Sequence, residues 1–223
     1  MSTGSAETVQ GRVQAAFDAV PRAPFLPRRK RRYAGEDRPI EIGHGQTNSQ
    51  PRTVRAMLEL LDVAPGSRVL DVGCGSGWTT ALLASLTGPS GSVLGVEIVP
   101  ELVELARRNL GAVHLDAPVG VREAEWSVLG TPDEPAYDRI LVSAQATAMP
   151  DPLVDQLAIA GRLVVPVRGA MTLVRRVDLT HADVSEHGRY SFVPLLWTPP
   201  LVDPRLPGVD PRPSGVDPRL PGG

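Results

Sequence analysis

A glycine-rich turn, followed further along the chain by an acid, is the feature of this sequence whose spacing points to chemistry. The apolar run 68–72 leads directly into three glycines, Gly73, Gly75 and Gly77. A second apolar run, 92–96, ends in Glu97. Glycine lets the backbone turn sharply and approach a ligand closely. Because parallel strands end at one edge of a sheet, Glu97 would face the same crevice and could bind the hydroxyls of a ribose.

The glycine spacing distinguishes between classes of ribose ligand. A dinucleotide site has G-x-G-x-x-G with a pyrophosphate at a helix N-terminus, whereas this turn has G-x-G-x-G preceded by Asp71. A carboxylate would repel a pyrophosphate but can pair with a cationic amino-acid group. The stretch 68–77 therefore resembles the first motif of Rossmann-like methyltransferases. The resemblance implies that Asp71, the three glycines and Glu97 hold S-adenosyl-L-methionine, and the spacing argues against a nicotinamide-dependent oxidoreductase.

Composition excludes several other classes of protein. The chain has 223 residues, enough for one α/β domain, and a formal net charge of -2 that offers no general attraction for nucleic acid or anionic membranes. Its one cysteine, Cys74, allows no intramolecular disulfide and fits a reducing compartment. The four histidines do not pair with another ligand type at metal-binding spacing. We expect a cytoplasmic monomer that binds no nucleic acid, no membrane and no metal.

Apolar periodicity predicts the elements that position the turn and the acid. It indicates an α/β fold, with a doubly wound, mostly parallel sheet of the Rossmann-like class I methyltransferase type. Helices are predicted over 8–19, 51–61, 79–87 and 101–110. The region 137–167 reads as strand, loop, helix and strand, with Ser143 ending its first strand at the crevice. The segments 171–177 and 190–196 read as a closing antiparallel pair.

Composition also divides the chain into three parts. Residues 1–52 contain a helix, a proline-rich extended segment, the basic run 28–32 and the polar loop 33–51. The basic run reads as a solvated surface turn, and the alternative is a role in holding an acidic polypeptide substrate. Residues 53–197 form the predicted S-adenosyl-L-methionine-binding core. Residues 198–223 carry a proline-rich heptapeptide repeat that predicts an extended or disordered tail.

The loop before the core carries a more specific resemblance. The stretch 42–51, IGHGQTNSQP, together with Val20-Pro21-Arg22 upstream, resembles protein-L-isoaspartate O-methyltransferases. The resemblance assigns the active-site role to Ser49 and implies that His44, Gln46 and Thr47 belong to the substrate loop. It further implies methyl esterification of the free carboxylate of L-isoaspartyl residues in peptides and proteins, as a repair reaction, with S-adenosyl-L-methionine as methyl donor.

Two departures from the family pattern keep alternatives open. Where the family has Gly-Asp-Gly near the adenine, this chain has 122–126, REAEW, so Glu125 is the best match and Glu123 the second. Trp126 could stack on the adenine or belong to the core. Asn48 stands where the family usually has an aliphatic residue. The alternatives are a tailoring methyltransferase acting on an ordinary aspartate of a dedicated peptide, and a non-catalytic protein that binds S-adenosyl-L-methionine.

Overall fold

A computed structural model describes residues 8–197 of the chain. The predicted tail, 198–223, lies outside the described residues. The helices are α1 (Val9–Ala19), α2 (Pro51–Leu61), α3 (Trp78–Thr87), α4 (Pro100–Gly111) and α5 (Asp151–Asp155). The strands are β1 (Ile40–Gly43), β2 (Gln46–Asn48), β3 (Arg68–Val72), β4 (Ser92–Glu97), β5 (Val119–Glu123), β6 (Tyr137–Val142), β7 (Leu157–Val167), β8 (Ala170–Arg176) and β9 (Ala182–Arg189).

One seven-stranded sheet forms the centre of the molecule. Its strand order is β5-β4-β3-β6-β7-β8-β9, with parallel pairing from β5 through β7 and antiparallel pairing beyond. After β3 the chain goes first to one neighbour, β4, and later to the other, β6. The strand order therefore reverses at β3 and β6, and their carboxyl ends open a crevice in which ligands bind in doubly wound folds. This confirms the predicted fold class.

Buried apolar side chains on both faces of the sheet hold this crevice in place. One cluster joins α2 and α3 to β3, with Met57, Leu58 and Leu83 almost fully buried. The other packs β6 and β7 against α5 on the opposite face. Because α3 lies directly behind the glycine turn and is buried over nearly its whole length, the turn is held against a rigid helix.

The structure differs from the sequence-based expectation at the last strand. Residues 190–196 do not form the closing strand, because β9 is Ala182–Arg189 and pairs antiparallel with β8. All but one of the β9 residues are exposed, so its polar sequence resembles a loop although its backbone completes the sheet. Residues 191–197 instead run across the crevice, where Gln145 exchanges hydrogen bonds with Val193 and Leu195.

The N-terminal part is more ordered than its composition indicates. The polar loop contains a short β-hairpin in which β1 and β2 pair antiparallel, with Glu41 opposite Thr47. The basic run lies in a 3₁₀ helix, Arg28–Tyr33, on the surface. In this helix Lys30 forms an ion pair with Glu41 at 2.7 Å. The hairpin thus presents its second strand to the crevice.

Over residues 8–197, no helix combines the length and apolar character needed to cross a bilayer.

Candidate active site

Two adjoining cavities lie at the carboxyl ends of the parallel strands. The first, here called the sheet cavity, lies between the glycine turn, Glu97, residues 124–130 and residues 193–197. The second, the loop cavity, lies between the segment 39–53 and residues 191–193. Four residues line both cavities: Thr47, Ser49, Ser143 and Val193. Three of these four carry a hydroxyl, so the seam between the cavities is rich in hydrogen-bonding groups.

The acid at the end of β4 is oriented by backbone amides. Glu97 is 6% exposed, and its Oε2 accepts a hydrogen bond from the Gly75 amide at 2.9 Å. Its Oε1 accepts from the amides of Ile98 at 2.8 Å and Val99 at 3.0 Å. An ionised carboxylate accepts about four hydrogen bonds. Glu97 is therefore fixed at the wall of the sheet cavity with capacity to accept from a ligand hydroxyl.

Asp71 lies behind the sheet cavity and is completely buried. Its Oδ2 accepts hydrogen bonds from the hydroxyls of Thr79 and Thr80, each at 2.7 Å, whereas its Oδ1 accepts none of ordinary geometry among residues 8–197. Burial raises the pKa of Asp71 to about 6, against the opposing effect of the two threonine hydrogen bonds and of a weaker contact with the Ser143 hydroxyl. Its carboxylate is thus mainly ionised at neutral pH and places a negative charge beneath the cavity, outside its lining.

Glycine is required at the three positions of the turn for different structural reasons. All have positive φ, from +55° to +89°, a region that side chains rarely adopt. A Cβ on Gly75 would approach Ile42 Cδ1 to 3.2 Å, and Gly73 also lines the sheet cavity. A Cβ on Gly77 would instead lie 3.1 Å from Leu110 Cγ in α4. Gly77 therefore permits close helix packing and lies outside the cavity lining.

The predicted substrate loop divides into residues inside and outside the cavities. Gln46 lines the sheet cavity, and Thr47 and Ser49 line both cavities. His44 has φ +54° in the hairpin turn and lines neither of them, and its Nδ1 lies 3.9 Å from Glu101. The assignment of His44 to the substrate site stays a prediction that its position does not support.

The acidic stretch 122–126, where β5 ends, places one of its two candidate acids at the cavity. Glu125 lines the sheet cavity, whereas Glu123 lies at the end of β5 outside the lining. The Trp126 side chain is 57% exposed and lines neither cavity, so it belongs neither to the core nor to this site. Trp197 lines the sheet cavity instead. Its position at the end of the segment that crosses the crevice could not be predicted from the local sequence.

Ser143 and Arg22 were not among the predicted site residues. The Ser143 hydroxyl is buried at the seam, makes no hydrogen bond of ordinary geometry among residues 8–197, and interacts only weakly with the Asp71 carboxylate. The signal for Ser143 was its position directly after the apolar strand β6. Arg22, 5% exposed, donates to the backbone carbonyls of Asn48 and Ser49 at 2.9 and 2.8 Å. Burial lowers the pKa of Arg22 to about 10.

The residues present fit S-adenosyl-L-methionine. Glu97 can accept a hydrogen bond from a ribose hydroxyl, and the backbone at Gly73 and Gly75 is open to close approach. The buried Asp71 carboxylate has an oxygen that accepts no hydrogen bond of ordinary geometry, beneath a site for a cationic ligand. Metal binding has no comparable basis, since residues 8–197 contain no group of three or more His, Cys, Asp or Glu side chains placed to hold an ion. Fold and site together define a Rossmann-like, S-adenosyl-L-methionine-dependent methyltransferase.

Comparison with known proteins narrows this class to one family. The model of the protein-L-isoaspartate(D-aspartate) O-methyltransferase family matches residues 5–197, so the chain belongs to that family. The protein-L-isoaspartate O-methyltransferase of Aeropyrum pernix is 50% identical over 156 residues, which make up 70% of this chain but only 60% of that relative. The enzyme of the same name from Methanopyrus kandleri is 42% identical over 189 residues, 83% of each chain.

Solved structures agree with this membership. A Plasmodium falciparum structure described as a protein-L-isoaspartate O-methyltransferase in complex with S-adenosyl-L-homocysteine matches with a TM-score of 0.74 at 25% identity. The match covers 82% of this chain and 89% of that one.

Proposed function

We propose that this protein transfers the methyl group of S-adenosyl-L-methionine to the free α-carboxylate of L-isoaspartyl residues in peptides and proteins. The observation that carries the proposal is the seam of Thr47, Ser49 and Ser143, where a cavity suited to the methyl donor meets one suited to a carboxylate. Family membership supports the same reaction. The tailoring and non-catalytic alternatives have no observation in their favour.

The sheet cavity would hold the donor. When bound, S-adenosyl-L-methionine supplies an electrophilic methyl group on a positively charged sulfur. Glu97 would accept hydrogen bonds from the ribose hydroxyls, Gly73 and Gly75 would allow close backbone approach, and Glu125 would lie near the adenine. Asp71 lies beneath the sheet cavity, and its negative charge would favour binding of a cationic ligand over a neutral one.

The loop cavity would hold the acceptor. A carboxylate is ionised at neutral pH and attacks without a general base, so the protein has only to position it. The hydroxyls of Thr47, Ser49 and Ser143 would donate hydrogen bonds to the carboxylate from both sides of the seam. Transfer requires the attacking oxygen, methyl carbon and leaving sulfur to be nearly collinear, and orientation of this kind can supply most of the acceleration.

The product explains why the reaction serves repair. The carbonyl carbon of an α-methyl ester is more electrophilic than that of a carboxylate and carries methoxide as a leaving group. The neighbouring peptide nitrogen therefore attacks this carbon, the nitrogen's proton leaves with the methoxide as methanol, and a succinimide forms. Hydrolysis of the succinimide converts a fraction of the damaged residues to normal aspartate. Both steps proceed in water without a further group from the protein.

The proposal includes the state in which the protein acts. We expect it to act as a monomer, because the hydroxyls at the seam, Glu97 and Glu125 belong to the same chain. The leaving group is a neutral thioether and the nucleophile is already charged, so the reaction needs no metal. A cytoplasmic location fits the single cysteine, and the net charge of -2 gives no general attraction for nucleic acid or membranes.

The test is methyl transfer from labelled S-adenosyl-L-methionine to matched peptides that differ only in one L-isoaspartyl or L-aspartyl residue. Transfer to the isoaspartyl peptide alone, unaffected by a metal chelator, is the expected result. Transfer to the aspartyl peptide would identify a tailoring enzyme instead. Absence of transfer to either peptide, with the donor bound, would overturn the proposed activity and leave a binding role.

A further inference from the structure

Asn48 connects the two sides of the site through its side-chain amide. It ends β2, is 5% exposed and lines the sheet cavity. Its Oδ1 accepts a hydrogen bond from Arg22 Nε at 2.6 Å, and its Nδ2 donates to Ser76 Oγ at 3.2 Å. The same amide therefore contacts a buried cation on one side and the glycine turn on the other.

Arg22 fixes the loop on the acceptor side of this connection. Its guanidinium donates to the carbonyls of Glu36 and Arg38, each at 3.0 Å, and to those of Asn48 and Ser49. These acceptors and Asn48 Oδ1 are all carbonyl oxygens, which come from separate parts of the loop. The planar group thus ties the loop together around Ser49 in a fixed geometry.

Ser76 belongs to the donor side. It lies between two glycines of the turn, is 2% exposed and lines the sheet cavity. The Asn109 side chain of α4 also donates to the Ser76 carbonyl at 2.9 Å. The turn is therefore held by α4 on one side and by Asn48 on the other, and only the second of these contacts leads to the acceptor loop.

We propose that Asn48 is a positioning residue that couples the donor and acceptor cavities, because it links the Arg22-held acceptor loop to Ser76 in the glycine turn. The inference rests on the proposed function and concerns how its two substrates affect each other. A ligand that orders the glycine turn also orders Ser49 through the amide, and the acceptor then binds a loop that is already in place. By linkage the effect is reciprocal.

The test measures peptide affinity with and without S-adenosyl-L-homocysteine, the product of the donor, by calorimetry. For the wild-type protein we expect the ligand to tighten binding of an isoaspartyl peptide about fivefold or more, within the usual range of such coupling. In Ser76→Ala, which removes the acceptor of the Asn48 amide, the ratio of the two affinities should approach one. In Asn48→Leu it should do the same, and the double variant should show no further loss.

Two further variants separate positioning from general stability. Asn48→Asp should retain coupling, since a carboxylate accepts from both Arg22 and the Ser76 hydroxyl, even if its charge weakens peptide binding overall. Asn109→Ala removes the other amide contact to Ser76 and should also leave the ratio at the wild-type value.

A wild-type ratio of one, an unchanged ratio in Ser76→Ala, or an equal loss in Asn109→Ala would overturn the role of Asn48. If the wild-type protein methylates the isoaspartyl peptide, such a result contradicts only this coupling. If it transfers no methyl group, the proposed function fails first and the coupling fails with it.

Discussion

At the scale of single residues, we expect the serines at the seam to bind and orient the carboxylate of the acceptor. Loss of one hydrogen bond to a charged group costs about 1.5–3 kcal/mol, which corresponds to a rate loss of roughly tenfold to a hundredfold if the bond is made in the transition state. We expect Ser49→Ala to lower kcat/KM for an isoaspartyl peptide by this factor, because Ser49 lines both cavities. Steady-state kinetics and the Kd of S-adenosyl-L-homocysteine would be measured together, and that Kd should change little.

Ser143 allows a second, independent measurement at the same seam. Its buried hydroxyl makes no hydrogen bond of ordinary geometry in the described part of the chain and interacts only weakly with Asp71, so a bound carboxylate would provide a better acceptor. We expect Ser143→Ala to raise KM for the peptide about tenfold by the same energetics, whereas Ser143→Thr retains a hydroxyl and should recover part of the loss. Ser185→Ala, an exposed serine of β9, is the control and should match the wild type. Weaker donor binding with unchanged peptide kinetics would place the Ser143 hydroxyl on the donor side.

Asp71 should make stability depend on pH in an unusual direction. Its pKa in the folded protein, about 6, lies above the ordinary value of 3.8, so the folded state binds the proton more tightly than the unfolded chain. The free energy of unfolding therefore falls as the pH rises from about 4 to about 6. Asp71→Asn removes this effect, and its free energy of unfolding relative to the wild type should rise by about 2–3 kcal/mol between pH 4 and pH 7. Urea denaturation of both proteins without ligand would measure it, and a difference that does not vary with pH would contradict it.

The sequence predicted that the residues of its compact motifs would lie at the crevice, whereas their roles there stay predictions. The glycine turn, Glu97 and the pair Thr47 and Ser49 lie at one crevice because each is fixed by neighbours in the chain. Ser143 and Trp197 are brought there by the sheet and by the segment that crosses it, which short-range patterns do not encode. His44 lies in the same motif as Ser49, but the hairpin turn directs it away from the cavities.

At the scale of elements, the turn between α3 and β4 determines where Glu97 is placed. Gly91 lies in this turn, and an added Cβ would lie 1.9 Å from Thr87 Oγ1 and 2.5 Å from the Ser67 carbonyl oxygen. Because a backbone atom cannot move aside without shifting β3, we expect Gly91→Ala to reduce the free energy of unfolding by about 1–3 kcal/mol. Gly35→Ala is the control, since a Cβ there meets nothing within 4 Å. Equal stability of the two variants, measured by urea denaturation, would show that the turn relaxes freely.

The sequence failed to predict elements in which apolar side chains do not mark the strand. Apolar periodicity found β3, β4 and β6 because both faces of these strands are covered. It did not find β9, whose side chains are mostly exposed, and it mistook the apolar segment 190–196 for a strand. That segment is apolar because its side chains cover the sheet cavity, and Val193 and Leu195 are held by Gln145.

At the scale of the whole molecule, the catalytic unit should end where the family resemblance ends. The family model extends to residue 197, and Trp197 itself still lines the sheet cavity. The predicted division between a core and a tail at 198–223 stays a prediction, and truncation tests it. We expect a chain ending at Trp197 to retain kcat/KM for an isoaspartyl peptide and the Kd of S-adenosyl-L-homocysteine within about twofold, a difference below 0.5 kcal/mol.

A chain ending at Tyr190 is the matched comparison for this truncation. It would lack the segment 191–197, which closes the sheet cavity and contributes Ser191, Phe192 and Val193 to the loop cavity. Loss of the segment 191–197 exposes both ligands to water, so methyl transfer by this shorter chain should fall to background. The chain that ends at Trp197 should remain active. If truncation after Trp197 abolished transfer to short peptides as well, the repeat tail would be part of the catalytic unit. If it impaired transfer only to a folded protein substrate, the tail would serve to bind that substrate.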